Sequence, residues 1–221
     1  MAAACEFDRL FTKNVPHILE IIFLSLDGKS VLNCMEVSKY WNDFLTSESF
    51  RKKGETIFCK DLWRELSKAA KDGNTDMVRR ILASGMVEMT NKNKEPGTSP
   101  LLVAAEMGHK DVVQLLLLMD KGADPNIPSR NGDTTLHLAA LKGHKNVAQL
   151  LLDRGAEPNA ADQLGATPLH YAAVEGHKAV VKLLLSRGDD PNLADHGGEI
   201  PHSYALRKGH MRHDTWLLPI S

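Results

Sequence analysis

Cysteine is scarce in this chain: Cys5, Cys34 and Cys59 are the only three in 221 residues, odd in number and widely spaced. That excludes the dense disulfide framework of a small secreted domain and leaves too few ligands for a two-zinc site built from eight Cys and His side chains. It predicts reduced thiols and a cytoplasmic and/or nuclear location. An excess of one charge is also lacking: 27 Lys and Arg stand against 28 Asp and Glu, for a net charge of −1. No basic face stands out, so no nucleic-acid partner is expected. Long apolar runs are missing; LEIIFLSL, at 19–26, is far shorter than the roughly 20 residues of a membrane-crossing helix, and no membrane partner is expected. The opening MAAACEFDRL lacks the basic-then-apolar pattern of a secretory peptide. There is neither a glycine-rich phosphate loop nor a nucleophile elbow, so neither nucleotide chemistry nor serine hydrolysis is expected. With 43% hydrophobic residues the chain can still bury a substantial core.

What the chain has is repetition. Gly-His recurs at 108–109, 143–144, 176–177 and 209–210, with the histidines 35, 33 and 33 residues apart. Around it the phrases SPLLVAAEMGHKDVVQLLL, TTLHLAALKGHKNVAQLLL and TPLHYAAVEGHKAVVKLLL align, followed by a decayed copy, IPHSYALRKGH. Each part has a physical role. Thr167 offers a hydroxyl to the unpaired amides that open a helix, and Pro168 suits the first turn because its missing donor costs nothing there. Leu169, Ala172 and Ala173 form a narrow apolar face that lets another helix approach closely. Gly176 can take the left-handed conformation that ends the helix. Val180, Val181, Leu183, Leu184 and Leu185 then give a second helix a broad apolar face, and RGDDPNLADHGG is turn chemistry. One such unit cannot bury its faces alone, so its neighbours must.

These phrases, with their T-P-L-H-x-A core, resemble the ankyrin repeat. Ala69–Ala70 and Gly73 precede Ala104–Ala105 and Gly108 by 35 residues, which adds a degenerate first unit. The array is read as 63–218: 63–96 degenerate, 97–131, 132–164, 165–197, and 198–218 as a truncated cap. The two 35-residue spacings imply two-residue insertions, one around NKNKEPG and one in LLLLMDKGAD, where a helix end is lengthened. In the last copy His213 and Asp214 replace Val180 and Val181, and Trp216 replaces Leu183, which gives the polar outer face of a closing repeat; a shortened variant whose last repeat frays is the other reading.

Residues 11–53 differ in kind. Ile18, Leu19, Ile22, Phe23 and Leu26 fall at helical spacing after Pro16, Asp27-Gly28 breaks the helix, and Ser30 can cap the next. Val31, Leu32, Cys34 and Met35 carry a second helix; Val37, Tyr40, Trp41, Phe44 and Leu45 carry a third. Three short helices this apolar are marginal alone and call for a partner surface. Val15-Pro16, Ile18-Leu19-Glu20, Ile22-Phe23, Leu26-Asp27, Lys29-Ser30, Leu32, Cys34, Val37-Ser38-Lys39 and Trp41 together resemble the F-box, over about a fifth of the chain. The resemblance implies docking on the Skp-type linker, and through it the cullin scaffold, of an SCF-type ubiquitin ligase. The implied linker-binding residues are Val15, Pro16, Ile18, Leu19, Ile22, Phe23, Leu32 and Val37, with Trp41 a packing residue. The other reading of 11–53 is a helical cap for the repeats. Residues 54–62 are read as a linker, although Ile57, Phe58 and Leu62 could weld the two modules.

The expected fold is therefore all-α: a short three-helix F-box followed by an ankyrin solenoid of helix pairs with projecting β-hairpin loops. The expected function is that of a non-catalytic substrate-recognition adaptor with no cofactor. Cys34, in an apolar helical pattern, and Cys5, in a loose terminus, lack the setting of a thioester nucleophile, so any transfer falls to recruited subunits. The alternatives are an ankyrin scaffold or inhibitor without ligase association, and a foreign effector that hijacks a host ligase. No metal is expected: His137 and His170 are read as bonding neighbouring hairpin backbone, and the Gly-His histidines as repeat punctuation. The resemblance puts partner contacts on hairpin tips and on the exposed side of each first helix. The candidate substrate contacts are Met107, Arg130, Asn131, Asp133, Leu141, Lys142, Gln163, Leu164, Val174, Glu175 and Arg207. Met107, Leu141, Leu164 and Val174 are read as one apolar stripe flanked by Lys142 and Glu175.

Overall fold

The computed structural model describes residues 58–83, 99–118 and 123–210, and among these every regular element is a helix. The chain divides into two compact units, 1–69 with 76–93, and 70–75 with 94–221. Helix α1, Phe58–Lys71, belongs to the first unit as far as Ala69 and buries Leu62, Leu66 and Ala69 at positions i, i+4 and i+7. Helix α2, Thr75–Ala83, buries Val78, Ile81 and Leu82. Residues 58–62 are thus the first turn and a half of α1 rather than part of a linker. The bulk of the degenerate repeat falls in the unit that holds the N-terminal segment, whereas the sequence grouped it with the later repeats. The sites expected in 11–53, and His213, Asp214 and Trp216 of the closing copy, lie outside the described residues.

In the second unit, first helices alternate with second helices. The first helices are α3 (Pro100–Met107), α5 (Thr135–Leu141), α7 (Pro168–Val174) and α9 (Pro201–Arg207). The second are α4 (Lys110–Leu118), α6 (Lys145–Asp153) and α8 (Lys178–Ser186). Each first helix packs on the first helices of adjacent repeats, and α4, α6 and α8 form a parallel layer. The seam of the first layer consists of small side chains, with Ala104, Ala105, Ala139, Ala140, Ala172, Ala173 and Ala205 fully buried. Between the layers lie Val112, Val113, Leu116, Leu136, Val147, Leu151, Leu169, Val180, Val181 and Leu184. Leu183 is buried as expected, while Leu185 is only half-buried.

The inserted pair in LLLLMDKGAD falls between Leu116 and Ala123. The Ala123 amide donates to the Leu116 carbonyl seven residues back (3.1 Å), whereas Ala156 and Asp189 donate to carbonyls five back, on Leu151 and Leu184. Within the described residues α4, α6 and α8 have nine residues each, and residues 119–122 lie outside the described residues.

Four kinds of hydrogen bond recur between repeats, the first at four junctions and each of the others at two. In the first, each Gly-His histidine donates from Nε2 to a carbonyl two residues before the preceding repeat's glycine. His109 reaches Lys71 (2.9 Å), His144 reaches Glu106 (2.9 Å), His177 reaches Leu141 (3.0 Å) and His210 reaches Val174 (3.1 Å). A carbonyl can only accept, so Nε2 carries the proton in each ring. The glycines allow this in two ways. Gly143 holds φ at +73°, and a Cβ there would lie 2.6 Å from Nδ1 of His177. The histidines are therefore staples between repeats, not punctuation.

The second kind starts at the Thr-x-x-His step. The Thr134 amide donates to Nδ1 of His137 (3.0 Å), and Nε2 of that ring donates forward to the Ala166 carbonyl (3.0 Å). Thr167 and His170 repeat this, reaching the Glu199 carbonyl (3.0 Å). The sequence assigned the cap to the Thr167 hydroxyl and the bond to neighbouring hairpin backbone to the histidines. The structure joins the two, because each histidine is the N3 partner in a capping box. Burial, opposed only in part by the carbonyl bond, holds the pKa of both imidazoles below the ordinary histidine value, which matches a neutral ring that donates on one side and accepts on the other.

Third, Asn126 donates to the Gly155 carbonyl (3.0 Å) and accepts from the Glu157 amide (2.9 Å). Asn159 does the same with Gly188 (3.1 Å) and Asp190 (2.8 Å). Fourth, the hairpin tips join through main chain, Gln163 N–H to Asn131 O (3.1 Å) and His196 N–H to Leu164 O (2.8 Å).

Candidate protein-interaction surface

The hairpins are set by side chains nine residues away. Asp162 takes the Leu164 amide (2.7 Å) and the Ala166 amide (2.9 Å) on Oδ1, which closes its own tip, and receives the Tyr171 hydroxyl (2.8 Å) on Oδ2. Asp195 repeats the pattern with the Gly197 and Glu199 amides (2.9 Å each) and the Tyr204 hydroxyl (2.6 Å). At the equivalent place Ser129 caps the first tip through the Asn131 (3.2 Å) and Asp133 (3.1 Å) amides. Tyr171 also lies 2.7 Å from Oδ1 of Asp133, so its phenol bridges two repeats. Burial first, and then the two carboxylates, push its pKa above the ordinary tyrosine value. Tyr204, hydrogen-bonded to Asp195, is pushed up to about 12. The same bond holds Asp195 below the usual carboxylate range. Both phenols are neutral anchors, and their rings pack edge-on against His137 and His170, with centroids 5.2 Å apart in each case.

The anchored rings belong to a row. Val103, Leu138, Tyr171 and Tyr204 occupy one position on α3, α5, α7 and α9, and all four are half-buried. One turn further along lie Glu106, Leu141, Val174 and Arg207; beside them Met107, Lys142, Glu175 and Lys208 are exposed. Because i and i+3 share a helix face, Val103, Leu138, Leu141, Tyr171, Val174 and Tyr204 make a strip across four repeats. It abuts the hairpins, to which the phenols are tied. Rows of half-exposed apolar groups with a polar rim are what protein partners cover.

The predicted contacts distribute unevenly over this surface. Leu141 and Val174 are in the strip. Met107, 38% exposed, belongs to the outer row with Lys142 and Glu175, and Leu164, 69% exposed, stands apart on a hairpin tip, so the four do not form one stripe. Lys142 pairs loosely with Glu106 at 3.7 Å. Arg130, Asn131 and Gln163 lie exposed at the tips, with the Gln163 amide donating to the Arg130 carbonyl (2.7 Å). Asp133 is not a free contact: it is buried, with Ser129 Oγ on Oδ2 (3.1 Å) and the Tyr171 phenol on Oδ1. Arg207 is exposed but bonded to Glu199 (2.9 Å) and placed over the Tyr204 ring (4.8 Å). The sequence reading missed Val103, Leu138, Tyr171 and Tyr204. The signal was available, since each is the variable residue of T-P-L-H-x-A, and Leu138, Tyr171 and Tyr204 stand three before the selected Leu141, Val174 and Arg207. Among the described residues no three His, Cys, Asp or Glu side chains are grouped to hold a metal ion, and no helix is long and apolar enough to cross a membrane.

Stacked helix pairs joined by tip-bonded hairpins define a repeat protein of the ankyrin class. A family model described as ankyrin repeats (3 copies) matches residues 53–129 and 117–195, and the chain belongs to that family. An F-box domain model matches residues 14–53, so this is an F-box protein with C-terminal ankyrin repeats. Among curated proteins none matches the chain. The two domains support an adaptor role in ubiquitin ligation and protein binding, and domains of both kinds are typically non-catalytic.

Proposed function

We propose that this chain is the substrate-recognition adaptor of an SCF-type ubiquitin ligase and does no chemistry itself. Residues 11–53 dock on the Skp-type linker, and so on the cullin scaffold, through Val15, Pro16, Ile18, Leu19, Ile22, Phe23, Leu32 and Val37. The half-buried strip and its charged rim hold the protein substrate, in the cytoplasm and/or nucleus. The observation that carries this reading is the succession of an F-box match and an ankyrin match with no gap between them, 14–53 and then 53–195. A receptor must hold its cargo at a defined place relative to the ubiquitin donor, and directly adjoining modules suit that task.

The test is capture of the full chain on immobilised, purified linker protein, wild type beside an Ile22→Asp, Phe23→Asp double variant. The wild type is expected to be retained and the variant lost, with unchanged thermal melting of the repeats. A wild type that fails to bind sinks the ligase reading and leaves an ankyrin scaffold whose N-terminal helices act as a cap.

A further inference from the structure

Among the described residues one buried group has no counterpart in the other repeats. After each second helix the chain reads Gly-Ala in two repeats, Gly122-Ala123 and Gly155-Ala156, and Gly188-Asp189 in the third, at 33-residue spacing. Ala156 is buried, as the slot requires, and Asp189 is only 4% exposed. Neither of its carboxylate oxygens has a hydrogen-bond partner. The Asp190 amide, the nearest donor along the chain, gives its hydrogen bond to Asn159 at 2.8 Å and offsets the cost of burying Asp189 only weakly. Arg187, two residues earlier on the same turn, points to Asp153 on α6 at 2.9 Å. Among the described residues the one charge that acts on Asp189 is that of Asp190, and it is of the same sign.

A carboxylate cannot stay ionised there without a partner, so it must either keep its proton or open the structure around it. We infer that Asp189 is a pH-dependent latch on the turn that ends α8: protonated, it fills the alanine slot and the turn stays closed on Leu184 and Asn159; ionised, it favours opening of that turn. In a solenoid a turn between helices can open locally without unfolding of the whole stack. Burial, aided by Asp190, pushes the Asp189 pKa up to about 8, whereas an aspartate in an unfolded chain titrates near ~3.9. Between these values the closed state holds a proton that the open state has released. The stabilisation is therefore complete below about pH 4, is eroded as the pH rises, and is gone once the pH passes the folded-state value. The inference concerns the stack alone and stands whatever the strip binds.

The test is hydrogen–deuterium exchange of the full chain in the segment that follows Leu184, whose amides close the turn, for the wild type, Asp189→Ala and Asp189→Asn, from pH 5.5 to 9 in steps of about half a unit. The ratio of wild-type to variant exchange rate at each pH removes the intrinsic pH dependence of exchange. That ratio should rise by roughly tenfold per pH unit through neutral pH and flatten above the folded-state value. Asp190→Asn removes the like charge that helps to raise the Asp189 pKa, so it should move the flattening point to lower pH. Asp189→Asn, neutral at every pH, should follow Asp189→Ala in shape even if its side chain packs poorly. A flat ratio for both Asp189 variants, or an Asp189→Asn profile that tracks the wild type, overturns the inference.

Discussion

Replacing Gly143 by alanine tests whether the Gly-His pairs are fastened to each other across repeats. Two terms act. The backbone is held at φ +73°, where an L side chain costs roughly 1–2 kcal/mol. The new Cβ would also lie 2.6 Å from Nδ1 and 2.7 Å from Cε1 of His177. That ring can yield only by releasing the Leu141 carbonyl, which costs about 1–2 kcal/mol more. Gly155 separates the terms, since it has a similar φ of +84° but nothing within 4 Å of an added Cβ. Gly155→Ala should cost about 1–2 kcal/mol, and Gly143→Ala about 2–4 kcal/mol, in urea unfolding followed by circular dichroism. Adding His177→Ala to Gly143→Ala removes the collision, so the double variant should be more stable than the sum of the single losses by about 1 kcal/mol or more. Equal costs at Gly143 and Gly155, or strict additivity with His177→Ala, would refute the fastening.

Two further outcomes follow from the buried polar groups. Tyr171→Phe strips a donor from between Asp133 and Asp162 and should cost about 1–3 kcal/mol, more than Tyr204→Phe, which frees only Asp195; the reverse order in denaturant unfolding would sink the bridging role. The lowered values of His137 and His170 give the array an acid limit. Below the unfolded-state value of ~6.5 the unfolded chain binds protons that the folded imidazoles refuse, so stability falls as the pH falls. In an Asp189→Ala background, which removes the opposing trend, the denaturation midpoint should drop from pH 7 to pH 5, and a His137→Gln, His170→Gln variant should show a shallower drop; identical slopes would count against neutral rings.

Much of this architecture is legible in the sequence because a solenoid repeats its local chemistry. The alanine pairs at 104–105, 139–140 and 172–173 foretell the close seam, and the Thr-x-x-His step foretells a histidine bonded to a neighbouring hairpin. What escapes is whatever lies one repeat away. Nothing inside GHK shows that its histidine serves the previous glycine. Asp133 looks like a free tip charge until Tyr171, 38 residues on, is seen to claim it. The strip was half found, because exposure on a short helix alternates within a turn and the neighbouring helices decide which side remains open. Asp189 is visible to alignment as the odd residue at an alanine position, but only its burial gives that oddness a consequence.

In all four kinds of fastening between repeats, at least one end is a main-chain group. The carbonyls of Lys71, Glu106, Leu141 and Val174 receive their histidines whatever side chains those residues carry. Recognition between neighbours is thus written in the backbone, and the outward side chains are free to change without undoing it. Residues 132–164 could be exchanged for a copy of 165–197, or a copy inserted after 164, with each fastening regenerated at the new junctions. A receptor made this way can acquire a new cargo by trading whole modules, and its length is a quantity that recombination can adjust in steps of 33 residues.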